Sequence, residues 1–344
     1  MVVSDMEKAQ ILHALKSNFN VDKAIVDELL GQIKDESIRL NFPRIQRGLT
    51  AEENYRAIFS AMPWIKNING LHQEQEGHHK KDYQVPDYSL LVEDSGKINF
   101  PLLVDVKVVS GNKESCELMI KQLHSLRAYA RDHNSQLLIA IYWERLGYWT
   151  HNCVRNFGGK KKNKINWAEA IANDVSHVLS DYSFVVEKDF YRRAFFSKNK
   201  AEGMVSHKKY GYFSEIFIGT DPKSLKPYDL VFSSAIDSIF RGEELEVKEV
   251  PGGVEMLERF SGMRIVKVSN WLVNFLNLWG FDPATKFDER RVTTLGRIAM
   301  VELSHELDFK VTYLIPRDKN EDTEKLFKQA YDGTGVMRDY YSGA

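Results

Sequence analysis

Asp105-Val106-Lys107 closes the apolar run Phe100-Pro101-Leu102-Leu103-Val104, and a second acid follows a proline at Pro86-Asp87. Alternation along a strand sends Asp105 and Lys107 to one face, ~7 Å apart, and Val106 to the other. Residues 88–99 read as a strand, a polar turn containing Gly96 and the start of a return strand. Pairing of those two strands would bring Asp87, at the start of the first, beside Asp105, toward the end of the second. Two carboxylates then meet beside one ammonium.

That grouping suits a hard divalent cation, Mg2+ or Mn2+, which takes one or two carboxylate oxygens from a protein and leaves its other positions to water and a substrate phosphate. A lysine in the same place orients an attacking water or neutralises charge that grows on the phosphoryl oxygens. The chemistry implied is phosphodiester hydrolysis.

Pro86-Asp87 followed by Asp105-Val106-Lys107 resembles the motif of the PD-(D/E)xK nuclease superfamily, over residues 48–145 of the chain. The resemblance implies an α/β fold with a restriction-endonuclease-like αβββαβ core and a mixed central sheet. It implies Asp87 and Asp105 as magnesium ligands and Lys107 as the catalytic lysine. A glutamate of the first core helix, Glu53 or Glu52, would join the metal, and Gln122, Lys121 or Arg127 of the second helix would face the cleft. The implied partner is nucleic acid, DNA in the first place.

The elements needed to position these groups follow from the pattern. Residues 49–59 carry helical spacing, and Thr50 with Glu53 three residues on forms a capping box, which gives Glu53 a structural use as well. Residues 64–69 suit a short strand. Residues 71–81 are polar, and their three histidines read as an exposed connection in which His78, His79, Lys80 and Lys81 touch phosphate rather than a metal. Residues 113–132 repeat Leu118, Met119, Leu123, Leu126 and Tyr129 at near 3.6 spacing, a helix capped by Asn112; residues 136–143 are a continuous apolar strand. Helix, three strands, helix, strand is the order the resemblance calls for.

A rival match, Pro227-Tyr228-Asp229 with Glu246-Val247-Lys248, lacks an intervening hairpin, and the alternation of residues 243–250 marks a solvated strand. Lys160, Lys161, Lys162 and Lys164 form a glycine-flanked basic loop suited to sequence-independent phosphate contact. Arg192 and Arg193 lie among aromatics, a pattern that suits phosphate contact and base stacking. Residues 4–40 have helical spacing broken near Asn18-Phe19-Asn20, with Ser4-Asp5 as a cap.

The chain has 344 residues, 43% hydrophobic and 28% charged, enough for more than one core. We expect a helical extension at 1–45, the nuclease core at 46–150 and an α+β domain at 151–344 for target or partner binding. A net charge of −1 gives no whole-molecule basic field, so affinity for nucleic acid must come from local patches. Cys116 and Cys153 form no CxxC pair, which speaks against zinc or a disulfide framework. No run of 18 apolar residues and no signal-peptide pattern appears, so the reading is a cytoplasmic protein without a membrane partner. Double-strand cutting with one site per chain would favour a homodimer. The alternative is a non-cleaving nucleic-acid-binding or protein-interaction module in which Asp87 and Lys107 form a salt bridge.

Overall fold

Period-two runs of apolar residues build the sheets of this chain, and capped amphipathic segments build its helices. The computed structural model describes residues 3–73, 81–94, 98–158, 163–200, 206–279 and 288–330. The chain is a mixed α/β protein of two units: residues 1–180, 281–290 and 314–344 form the first, residues 181–280 and 291–313 the second. The division falls near 180 rather than 150, because the strand after residue 147 pairs back into the first sheet.

The first unit opens with α1 (Asp5–Asn18), α2 (Lys23–Gly31), α3 (Glu36–Leu40) and α4 (Phe42–Phe59). Ser4 caps α1 through a capping box with Glu7, and Asp22 and Asp35 cap the next two helices. Ala9, Leu12, Ile33 and Phe42 close a small core between them. Thr50 is not a cap: α4 starts eight residues earlier, with a proline in its first turn, and the Thr50 hydroxyl donates to the Gln46 carbonyl inside the helix.

Then follow β1 (Ile65–Gly70), β2 (Tyr88–Asp94), β3 (Ile98–Val109), β4 (Ser115–Leu118), α5 (Ile120–Asp132), β5 (Gln136–Trp143), β6 (Tyr148–Cys153), β7 (Asn163–Asn166) and α6 (Trp167–Ala172). The central sheet has the order β1-β2-β3-β5-β6, with β3 and β5 parallel and the other neighbours antiparallel. Pro101 is tolerated near the start of β3 because pairing with β5 begins only at Leu102. Residues 115–118, expected as helix, form β4 and pair with β7, so α5 begins at Ile120 after Met119 and Asn112 caps nothing. Leu103, Leu123, Leu126, Ile139 and Ile141 share the core between α5 and the sheet.

The second unit holds β8 (Ser183–Val186), β9 (Phe190–Ser197), β10 (Ser206–His207), β11 (Gly211–Gly219), β12 (Lys226–Tyr228), α7 (Leu230–Ile239), β13 (Gly242–Val250), β14 (Gly253–Phe260), β15 (Arg264–Lys267) and α8 (Val268–Trp279). Most of α9 (Glu289–Glu306) and β16 (Lys310–Thr312) complete it. Its larger sheet runs β10-β11-β9-β14-β13 with β12 on β11, and β15-β8-β16 form a smaller one. The last described helix, α10 (Glu321–Ala330), belongs to the first unit and packs on β3 and β5. No helix among the described residues is long and apolar enough to cross a membrane.

Candidate active site

The hairpin of β2 and β3 pairs Tyr88 with Val104 as its last rung, so Asp87 and Asp105 are the next residues on either side. Beyond that rung the Asp87 side chain continues the ladder, its Oδ2 accepting the Val106 backbone N–H at 2.6 Å. The Asp87 carbonyl is held as well, by the Leu71 N–H at 2.9 Å. Both ties fix Asp87 beside β3.

Asp105 is 1% exposed, and its Oδ2 is in ion-pair contact with the Lys107 ammonium, the pairing that alternation along β3 predicts. Apart from that ammonium, no group donates to either Asp105 oxygen among the described residues. Lys107 also donates to the Val106 carbonyl at 2.9 Å.

Helix α4 supplies the third acid. Tyr88, next to Asp87, donates from its hydroxyl to the Glu52 backbone carbonyl at 2.8 Å, and Tyr55 stacks on both Tyr88 and Phe59. Positions 52, 55 and 59 recur at helical spacing, so the aromatic packing that docks α4 carries Glu52 to the acid pair. Glu53 turns elsewhere: its Oε2 lies 3.0 Å from Nε2 of buried His13 on α1, and it lines a separate cavity with Arg56, Glu289 and Arg290.

Electrostatics mark the same cluster. Burial, with the Asp105 charge adding to it, pushes the Asp87 carboxyl up to about 7, against the pull of Lys107 and the Val106 N–H. Burial and then Asp87 push Glu52 up to about 8. Burial alone would pull the Lys107 ammonium down, but the Asp105 and Asp87 charges and the Asp105 contact outweigh it and hold it above the usual lysine value. Burial raises the Cys116 thiol to about 12 and keeps it neutral beside this group. Burial and mutual repulsion thus raise two of the three acids, and perturbed groups gathered this way mark a candidate functional site.

The donor set fits magnesium. All the oxygens are hard carboxylate donors, and the single Lys107 ammonium serves both Asp105 and Asp87. Among the described residues no three His, Cys, Asp or Glu side chains converge closely enough to hold an ion by themselves. Magnesium needs no such cage, since it usually keeps several waters and one or two carboxylates suffice.

No protein-family model matches this chain, and no curated protein matches it. Among solved structures, the chain is similar to Archaeoglobus fulgidus Hjc, a Holliday junction resolvase from an archaeal hyperthermophile. The identity is 16% over 39% of this chain and 96% of that one, with a TM-score of 0.30.

The structure thus brings Asp87, Asp105 and Lys107 together and adds Glu52 in place of Glu53. Lys121 is exposed and Gln122 half-buried in the first turn of α5, while Arg127 lies exposed farther along the helix. Lys164 is exposed on β7; Lys160, Lys161 and Lys162, like His78, His79 and Lys80, lie outside the described residues.

Arg192 is not a surface cation. It is buried in the second unit, where its guanidinium holds Glu258 at 2.8 Å and Asp237 at 2.9 Å and donates to Ser233. Arg193, next along β9, is half-exposed and bonds the Pro222 carbonyl at 3.2 Å. The rival motif dissolves too. Asp229 caps α7 by accepting the Val231 N–H, and Glu246 and Lys248 pair with each other on exposed β13.

Proposed function

We propose that this protein is a metal-dependent nuclease that hydrolyses phosphodiester bonds, a DNA endonuclease of restriction, defence, mobility or repair. The observation that carries the reading is the meeting of Asp87 and Asp105 beside the charged Lys107, with Glu52 coupled to them from α4.

Asp87 and Asp105 would hold Mg2+ or Mn2+, which supplies a Lewis acid for the phosphoryl oxygens and activates water. Lys107 keeps its proton, so it is no general base; its ammonium neutralises charge growing on the phosphoryl oxygens and orients the attacking water. Glu52, pushed up to about 8 by burial and by Asp87 in the metal-free site, would be the third carboxylate available to the cation or to its water shell. Gln122, at the start of α5, would hold the water or a phosphate from the other side. Cutting both strands of a duplex would call for two copies about a two-fold axis.

The test is incubation of supercoiled plasmid, single-stranded DNA and RNA with Mg2+ or Mn2+, with and without EDTA. The expected result is metal-dependent cleavage that Asp87→Ala and Asp105→Ala abolish while the far-UV circular dichroism stays unchanged. Wild-type rates in either variant would end the reading. Binding of nucleic acid with no cleavage under any metal would assign the chain to the non-cleaving class instead.

A further inference from the structure

A cavity of about 810 Å3 opens in the first unit where the C-terminal end of α5, the start of β5 and α10 meet. Five side chains of its lining are cations, Arg127, Arg131, Arg155, Lys325 and Lys328, against the single acid Asp322. Arg127 and Lys328 are exposed, and among the described residues neither has an ion-pair partner. Arg155 and Lys325 are tied to Glu321 and Asp322, and Arg131 to Asp132, at 2.6 to 3.1 Å. Ion pairs this open to water are worth about 0–1 kcal/mol, so these cations exchange partners easily for phosphate oxygens. Gln329 lines the same wall with a buried Oε1 that has no hydrogen-bond partner among the described residues, and a side-chain amide turned about offers N–H donors instead. On a chain of net charge −1, a concave surface with this excess of positive charge draws an anion.

The groove's place decides which anion. Gln136 pairs with Leu102, three residues before Asp105 along β3, so the groove begins ~10 Å down the strand from the acids. Helix α5, 13 residues and ~20 Å long, separates Gln122 at one end from Arg131 near the other. A free phosphate or nucleotide does not reach across 10–20 Å; a continuous strand does, in roughly 3–6 base-pair steps. We infer that this groove binds the phosphodiester backbone of the nucleic acid whose bond lies at the acids, a few base pairs away. The inference rests on the nuclease reading for its geometry, while the binding itself can be measured without cleavage.

The experiment is fluorescence anisotropy of the full chain with a labelled 30-base-pair duplex in EDTA, across a salt series, for wild type, Arg127→Ala/Lys328→Ala and the charge-keeping Arg127→Lys/Lys328→Arg. Loss of two phosphate contacts should weaken binding about ten- to thirty-fold near 0.15 M salt and make the log Kd against log salt slope shallower by roughly 2, with the charge-keeping variant close to wild type. Unchanged affinity and slope in the alanine variant would overturn the groove and leave the cleavage reading untouched. Weakened binding in a protein that cuts nothing would keep the groove and remove hydrolysis. A parallel thermal-melt series with pyrophosphate covers the remaining source: stabilisation by pyrophosphate in a protein that binds no duplex would also overturn the inference.

Discussion

The Asp87 carboxylate takes the Val106 N–H at 2.6 Å, where a further rung of the β2–β3 ladder would otherwise lie. An acid proposed to hold the metal thereby also completes a sheet hydrogen bond. Its orientation toward Asp105 is set by backbone geometry rather than by other side chains, so the two acids are held together although their charges repel. That stored repulsion is measurable.

Asp87→Asn should stabilise the metal-free protein at alkaline pH. The folded carboxyl titrates near 7 and its unfolded counterpart near 4, so between those values the folded state holds more protons and stability falls as pH rises. Below pH 4 both states are protonated and the variant gains nothing. Above pH 8 the gain should reach on the order of 2–4 kcal/mol, read from urea melts in EDTA at pH 4 and pH 8.5. Equal shifts at both pH values would contradict the charge argument.

Glu52→Gln and Glu53→Gln should part company. The first removes a carboxyl coupled to the acid pair and should lower metal-dependent cleavage at least ten-fold. The second touches His13 and should leave the cleavage rate within two-fold. Initial rates on plasmid at saturating Mg2+ decide it, and a reversed ranking would restore Glu53 to the site.

Lys107→Met should lower kcat by 100-fold or more while substrate affinity changes little, because the ammonium acts on charge that develops only in the transition state. Since Lys107 stays charged, the wild-type pH profile should show no limb set by deprotonation of a lysine with a lowered pKa. Single-turnover rates between pH 6 and pH 9 for both proteins supply the check.

Arg192→Met should weaken the fold and leave duplex binding of the folded protein unchanged. Removing one partner of a buried pair strands Glu258 as an uncompensated charge, at a cost of about 3–5 kcal/mol. Urea titration gives the first quantity and anisotropy the second. A binding defect at full stability would return Arg192 to the nucleic-acid surface.

Asp87, Asp105 and Lys107 were legible because strand alternation and a single hairpin fix three side chains without knowledge of the rest of the molecule. Glu52 was not separable from Glu53, since the choice depends on which face of α4 the Tyr55 and Phe59 rings bury. The cap expected at Thr50 gave Glu53 a structural use, but α4 starts at Phe42 and Glu53 meets His13 instead. Arg192 did carry a signal: Phe190, Ala194 and Phe196 share its parity on β9, and that face is buried throughout. Basic and aromatic residues interleaved along a strand therefore separate into an inside and an outside by parity. The cationic groove had no such signature, because α5 and α10 meet there from positions nearly two hundred residues apart.

Helix α10 returns to the first sheet after the whole second unit has been traversed. The polypeptide leaves the first unit after Ser180, contributes residues 281–290 to it on the way, and resumes it at Leu314. A gene fragment that stops at the apparent break would strip a wall from β3 and β5 and bare apolar surface there. Anyone dividing this molecule for expression should keep α10 with the first unit, since three separate stretches of chain build that body.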